Sequence, residues 1–587
     1  MTRFEVWAPY AREGVDLVLD ETRHPMTAAR SGWWRTELEA PLGSMYSFAL
    51  DGGDPLPDPR AQRLPEGPQG PAEVVDLADF AWTDDGWRGV DLAGAVLYEM
   101  HIGTFTDEGT FDAAIERLDH LVDLGVDLVE VMPVNTFPGR SGWGYDGVGL
   151  FAVHEPYGGP RGFQRFVDAC HARGLGVCLD VVYNHLGPSG NHLGELGPYF
   201  TDHYVTPWGA ALNLDDAGSD DVRAFVLDNV RQWLRDFHVD ALRLDAVHAL
   251  FDSRALPLLE EMSADVDALS DELGRPLWLI AESDRNDPRT VTPRAEGGTG
   301  LHAQWADDVH HGLHVLLTGE AQGYYGAFTG PRTVEKVLTK VFFHDGTWSS
   351  FRGRTHGRPV DRARVPGWRF VVSLQTHDQV GNRAAGDRLS ATLDPGTLAC
   401  GAALLLTSAC TPMLFMGEEW GASTPWQYFT DHPDPALADA VRRGRRDEFA
   451  EHGWDRGDVP DPQTDATVER SRLDWAEVGR APHDRILAWY RALIRLRRER
   501  LDLRDPRLDQ VAARHDEAAH SVVVDRGEHR VVVNLADEPQ SIDLATEASD
   551  LGVLLAWDDD ATVFENGQVR LPARSACVLG PIVTFRH

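Results

Sequence analysis

The chain has 587 residues, 42% hydrophobic and 25% charged, the balance of an ordinary globular protein rather than a disordered one. Its net charge of −38 repels phosphate, which argues against nucleic acid or an anionic membrane surface as a partner and favours a neutral substrate. Lys336 and Lys340 are the only lysines, and neither follows glycine, so no P-loop is possible.

Residues 1–90 read as β-structure. "FEVWAP" and "GVDLVLD" alternate apolar and polar residues, and "SGWWRTELEA" and "MYSFALDG" follow, with Gly, Asp and Pro between them. A small N-terminal β-sandwich is expected, joined to the central region of the chain by the Pro-rich "DPLPDPRAQRLPEGPQGP". From about residue 91 the pattern changes to short apolar strands separated by amphipathic helices. The strands are "AVLYEMHIGTF", "VDLVEVMPV", "LGVCLDVVYNH", "VDALRLDAVH", "PLWLIAES", "GLHAQWADD", "WRFVVSLQTHD" and "TPMLFMGEEW". Eight strand–helix repeats predict an α/β fold built on a parallel (β/α)8 TIM barrel over 91–504, ending with the helix "HDRILAWYRALIRLRRER".

The uncharged run "TLACGAALLLTSACTPMLFMG" is long enough to span a bilayer. It is isolated, contains hydroxyl residues and is broken at Thr411-Pro412. A buried helix, a turn and a short buried strand "MLFM" are the better reading. Residues 505–587 return to short strands, "HSVVVDRG", "HRVVVNLA", "QSIDLA", "GVLLAW" and "QVRLPARSACVLG", and predict a C-terminal antiparallel β-sandwich. The five cysteines, Cys170, Cys178, Cys400, Cys410 and Cys577, lie in apolar stretches without a Cys-x-x-Cys pair. With no secretory leader in "MTRFEVWAPYAREG", they predict reduced thiols in a cytoplasmic protein.

Active sites of such barrels lie at the carboxyl ends of the strands. Strand one ends near His101, strand three at Asp180, Asn184 and His185, and strand four at Arg243, Asp245 and His248. Strand five ends at Glu282, strand six at Asp307 and Asp308, strand seven at His377 and Asp378, and strand eight at Glu418 and Glu419. Such a ring of carboxylates could hold a metal or split a glycosidic bond. Arg243 and Asp245 share a strand face, and a guanidinium there lowers a carboxylate pKa, as a nucleophile needs, while opposing a divalent cation. Glu282 leaves the apolar strand "LWLIA", where partial desolvation raises its pKa and suits it to the acid role. No G-x-S-x-G elbow or His-Glu-x-x-His pair is present, and "DDVHHGLH" (Asp307 to His314) lacks a matching third site for a metal.

"DVVYNH" (Asp180 to His185), "LRLDAVH" (Leu242 to His248), "IAES" (Ile280 to Ser283) and "QTHDQ" (Gln375 to Gln379) resemble the four short motifs of the α-amylase superfamily, in its order. The finer resemblance is to the maltooligosyltrehalose trehalohydrolases, carried by "YEMHIGTFTDEGTF", "GWGYDGVGLFAVHEPYGGP", "WADDVHHGLHVLLTGEAQGYY", "QTHDQVGNR" and "FMGEEWGASTPWQYFTDH". Glycogen-branching enzymes show "HDEV" and isoamylase-type debranchers "HDG" where this chain has "HDQVGNR", while "FEVWAP" resembles the sandwich preceding the barrel in both.

The resemblance implies a retaining glycoside hydrolase with Asp245 as nucleophile, Glu282 as acid/base and Asp378 as the third carboxylate. Its substrate would be maltooligosyltrehalose, and free trehalose its product. Arg243, Asp180, His185 and His377 would line the cleaved-bond subsite, and Tyr145 would stack on the sugar. Further substrate contacts are implied at Leu244, Ala246, Val247, His248, Asp307, Asp308, Val309, His310, His311, Gln379, Val380, Gly381 and Asn382. Asn184 is expected to make a structural hydrogen bond. Ser283 follows Glu282 where the family pattern implies an acidic residue or histidine. No cofactor or metal is implied, and a monomer or homodimer is expected. A glycogen-branching activity and a catalytically dead glucan-binding barrel are the alternatives; the latter would normally have lost one of the three carboxylates.

Overall fold

The computed structural model describes residues 1–451, 459–544 and 551–582. The end of the predicted C-terminal unit and Ala545 of "QSIDLA" lie outside these residues. Eight parallel strands close into a barrel: β1 (Leu97–Met100), β2 (Leu128–Val131), β3 (Gly176–Val181), β4 (Ala241–Leu244), β5 (Trp278–Ala281), β6 (Ala303–Trp305), β7 (Phe370–Ser373) and β8 (Thr411–Phe415). Each pairs with its sequence neighbour and β8 pairs with β1, so no edge remains.

Side-chain alternation builds the interior in layers. Leu97, Leu128, Cys178, Ala241, Ile280, Ala303, Val371 and Met413 pack into one apolar cluster inside the barrel. One inward step further along, Glu99, Glu130, Asp180 and Arg243 face the axis, with Glu99 level with Glu130 and Asp180 level with Arg243. The intervening residues, such as Tyr98, Val129, Leu179 and Leu242, pack outward against the helices. Alternation therefore seals the barrel's middle with hydrocarbon and concentrates charge towards the strand ends.

The helix Leu118–Leu124 stops at Gly125, whose φ of 96° favours glycine and whose amide returns to Leu121 and Val122 carbonyls. A Cβ at Gly125 would also sit 2.8 Å from Ile494 on the last barrel helix, His483–Glu499. The uncharged run divides into the buried helix Pro395–Leu406, capped by Asp394 on the amides of Gly396 and Thr397, and strand β8. The break falls at 407–410, however, and Pro412 sits inside β8 opposite Val372 rather than before it. Proline is tolerated there because β8 pairs with β1 only from Met413 onward, so Pro412 lies outside that ladder. No helix among the described residues is long and apolar enough to cross a membrane, and all five cysteines are free and buried.

The N-terminal sheets are Thr2–Trp7, Trp33–Leu38 and Thr27–Ala28 on one side, and Thr22–Pro25, Val15–Leu19, Met45–Leu50, Pro55–Leu56 and Ala72–Glu73 on the other. They enclose Phe4, Val6, Val15, Leu17 and Phe48. The Trp33 indole donates to Asp221 at 2.8 Å and Arg60 pairs with Asp228 at 2.9 Å, fixing this unit against the barrel. At the other end, a five-stranded antiparallel sheet (Val511–Asp516, Ser521–Arg526, His529–Asn534, Ser575–Pro581, Leu551–Ala556) lies with a three-stranded one (Gln540–Asp543, Gln568–Leu571, Val563–Glu565). "QVRLPARSACVLG" is two strands, not one, because Pro572 and Arg574, at φ 48°, turn the chain between the sheets.

Candidate active site

The carboxyl ends of the strands meet around Arg243. Its guanidinium is fully buried and lies 4.4 Å from the Trp305 ring centroid. Nη1 donates to both Asp180 oxygens at 2.9 Å and to Asp245 Oδ1 at 2.7 Å, and Nη2 lies 3.9 Å from Glu282 Oε2. One cation thus binds two carboxylates and stands beside a third. Asn184 holds the other side of Asp245: Nδ2 donates to Oδ2 at 2.7 Å and to the backbone carbonyl at 2.9 Å. The Asp245 side chain stays 12% exposed, open to the rim.

Glu282 is set by the turn that follows β4. Ala246 adopts a left-handed φ of 40°, and its amide donates to Glu282 Oε2 at 2.6 Å. Burial, with the charges of Asp245, Asp307 and Asp378, overcomes Arg243 and pushes Glu282 up to about 8. Glu282 therefore holds a proton at neutral pH. Asp180 is likewise pushed by burial, against the pull of Arg243, up to about 6.

A chain of hydrogen bonds supports these groups from below. Glu99 accepts from the His377 amide at 2.9 Å and from His377 Nδ1 at 2.5 Å. Burial disfavours the imidazolium, but Asp378 and Glu99 outweigh it and raise His377 to about 9. Protonated His377 then donates from Nε2 to the Tyr145 hydroxyl (2.8 Å), which donates to Asp180 at 2.6 Å. Tyr145 is stacked on His377, with centroids 5.1 Å apart.

Asp378 lies in the short helix α2 (His377–Gly381), with 45% of its side chain exposed and Asn382 Nδ2 donating to Oδ1 at 3.2 Å. Gly381 is required here, because a Cβ would fall 2.1 Å from the Trp143 ring. Gln379 accepts from Thr376 Oγ1. The helix α1 (Asp307–Thr318) begins at the rim. Asp307, half-buried, is pushed up to about 7 by burial and by Asp378 and Asp308.

The remaining expected contacts are more withdrawn. Leu244, Val247, Val309 and Val380 belong to the apolar core cluster, and their backbones are already engaged: the Leu244 carbonyl accepts the Glu282 amide, and the amides of Val247, Val309 and Val380 donate to the carbonyls of Glu282, Ala306 and Thr376. Asp308 Oδ2 is taken up by Asn286 and by the amides of Phe343 and His344 at 2.7–2.9 Å. His310 is buried against the Tyr325 hydroxyl (3.0 Å), and His311 packs among Tyr324, Tyr325 and Phe328, driven by burial and then Arg352 down to about 3. His248 accepts the Asp284 amide at 3.3 Å. His185 meets the Tyr145 carbonyl at 3.1 Å and stacks on Trp208 at 4.6 Å.

Several site residues were not found from sequence. Strand one contributes Glu99, not His101, which is bonded to Thr104 and the Gly142 carbonyl and pushed by burial down to about 4. The alternation in "LYEM" was the available signal: Glu99 shares Leu97's inward face. Two inserted hairpins were also missed. Phe200–Thr206 with Gly209–Leu212 presents half-exposed Trp208, and Thr347–Ser349 with Arg354–His356 presents Trp348, Phe351 and Arg352, which pairs with Asp284. Among the described residues, no group of three or more His, Cys, Asp or Glu side chains is arranged to hold a metal.

A model of the alpha-amylase catalytic domain matches residues 80–196, and a domain of unknown function (DUF3459) matches 506–578. The malto-oligosyltrehalose trehalohydrolase of Arthrobacter ramosus is 56% identical over 92% of this chain and 94% of its own length. That of Mycobacterium tuberculosis is 50% identical over 99% of each chain. The chain belongs to the malto-oligosyltrehalose trehalohydrolase family. It is a glycoside hydrolase of the alpha-amylase type. A Salmonella typhimurium protein solved at 1.4 Å is similar over 98% of this trehalohydrolase-family chain, with a TM-score of 0.89 and 36% identity. A pullulanase from Paenibacillus barengoltzii shares the fold, with a TM-score of 0.72 at 19% identity.

Proposed function

We propose that this enzyme hydrolyses the α-1,4 bond between the terminal trehalose unit and the glucan of maltooligosyltrehalose, with retention, releasing trehalose. The names of its relatives supply the substrate. The observation that carries the chemistry is the division of charge around Arg243: Asp245 is bound to the cation, while Glu282, just beyond hydrogen-bond reach, keeps a proton.

Glu282 gives its proton to the glycosidic oxygen, and the leaving trehalose keeps it. An Asp245 oxygen attacks the anomeric carbon from the opposite face and forms a glucosyl ester. Glu282, now ionised, takes a proton from water, whose oxygen displaces Asp245 and restores the α-configuration. Asp378, exposed at the rim, accepts sugar hydroxyls and faces the developing oxocarbenium charge. Tyr145, Asp180, His185 and His377 bind the glucose ring whose glycosidic bond is cleaved. Trp208 offers an aromatic face beside it. In this reading 1–90, 91–504 and 505–587 are three structural units, and the reduced, buried cysteines fit a cytoplasmic setting.

Incubation with maltotriosyltrehalose tests the reading: trehalose and maltotriose are the expected products. An untouched substrate with branching of amylose would transfer the chain to the branching-enzyme alternative. No turnover of either, with glucan bound, would make it a binding barrel.

A further inference from the structure

The histidine-rich stretch Asp307–His314 invites a metal reading, but its side chains have another use. Helix α1 runs from Asp307 at the rim to Thr318, and Glu320 follows on the next turn. Arg383 meets Glu320 with a two-pronged fork, Nη1 to Oε2 and Nη2 to Oε1, both 2.8 Å, while its Nε donates to Asp387 at 2.8 Å. His314 Nε2 reaches the same Glu320 Oε2 at 2.7 Å, and its ring stacks on Tyr325 at 4.3 Å. His310, one helical turn earlier, is bonded to the Tyr325 hydroxyl. Histidines, tyrosine and glutamate thus form one packed frame beside a small cavity that Arg383 and Asp387 also line.

Arg383 lies just past α2, which carries Asp378. Five residues make too short a helix to hold their own geometry. The Asp378 carboxylate takes a hydrogen bond from Asn382 and an ion pair with His377 at 3.6 Å, both from its own short segment, and 45% of its side chain is exposed, so its place depends on the backbone beneath it. That backbone is gripped by Arg445, which donates to the Gly381 carbonyl at 2.6 Å, and by the Arg383 fork. A bidentate guanidinium–carboxylate pair fixes angle as well as distance, which a lysine in its place cannot do.

We propose that Arg383 is a positioning residue for Asp378, with Glu320 and His314 as the anchor it works against. The proposal rests on the reading of Asp378 as the third carboxylate. Steady-state kinetics on maltotriosyltrehalose, with melting temperatures, test it in Arg383→Met, Arg383→Lys, Glu320→Gln and the exchanged pair Glu320→Arg/Arg383→Glu. Arg383→Met should lower kcat about 10- to 100-fold with KM changed less than about threefold, because misplacement by an ångström costs that much in the chemical step. Arg383→Lys should recover part of the loss, and the exchanged pair should exceed either single charge reversal.

A double-mutant cycle separates positioning from general support. In an Asp378→Asn background, Arg383→Met should lower the residual kcat by less than about threefold. An equal loss in both backgrounds, or a folded Arg383→Met enzyme within about twofold of wild type, overturns the proposal. Should Arg383→Met not fold, Glu320→Gln, which preserves shape, is judged by the same cycle. Full activity in Asp378→Asn alone would instead overturn the role of Asp378, and the positioning proposal with it.

Discussion

The two ends of β4 carry similar charges and put them to opposite uses. Below it, Asp240 accepts from the Trp87 indole, Arg275, His171 and the Val177 amide, four donors within 3.0 Å, and is sealed from solvent. His171 is held on its other nitrogen by Asp84, which also receives His238. Above β4, Asp245 has Arg243 on one oxygen and Asn184 on the other, with its face open to the rim. A buried charge whose hydrogen bonds are complete is bound into the structure; one left with spare lone pairs towards a cleft is available to a substrate. Four residues of strand separate the two cases.

The contrast breaks most sharply at Asp245. Asp245→Asn should lower kcat by about 10^4-fold or more while leaving the melting temperature nearly unchanged, since the nucleophile goes but the Asn184 contact can persist. Glu282→Gln should cost about 10²- to 10⁴-fold in kcat. Glu282 is active as an acid when protonated, so wild-type kcat/KM should fall as pH rises through about 8, and the residual rate of Glu282→Gln should lack that limb.

At the lower end the effects should reverse. Asp240→Asn strands His171 and Arg275, so urea unfolding should show a stability loss of about 3–5 kcal/mol, with kcat of the folded fraction unchanged. The smallest effect is the pH dependence of the same cluster. Burial opposes the His171 charge, but Asp240 and Asp84 raise its pKa above 6.5. Its contribution is fully present below 6.5 and is lost as pH rises through the raised value. Asp84 is shifted the other way: burial raises it, but His171 and His238 prevail and hold it below 3.8. Its contribution is present above 3.8 and lost as pH falls through the depressed value. The melting-temperature gap between wild type and His171→Asn should therefore narrow at alkaline pH.

Strand periodicity and the Arg243–Asp245 spacing made the barrel and its charged rim legible, because both are local patterns. Eight strand–helix repeats leave few other topologies, and two charges two residues apart on a strand must share a face. Contacts between distant segments were not legible. Glu99 and His377 lie 278 residues apart, and only closure of β8 onto β1 brings their strands to one rim. The frame of His314, Glu320 and Arg383 spans α1 and α2, so "DDVHHGLH" in isolation resembles ligands without a metal. The hairpins bearing Trp208 and Phe351 are short, polar-flanked insertions whose alternation is too brief to stand out.

The most direct test is to trap the covalent step. A 5-fluoro-α-glucosyl fluoride slows hydrolysis of the glucosyl ester, and peptide mapping by mass spectrometry then locates the sugar. A glucosyl adduct on the peptide containing Asp245, absent from Asp245→Asn, is expected. An adduct on another carboxylate, or no adduct together with inverted product configuration by NMR, would contradict the assignment of Asp245 as the nucleophile.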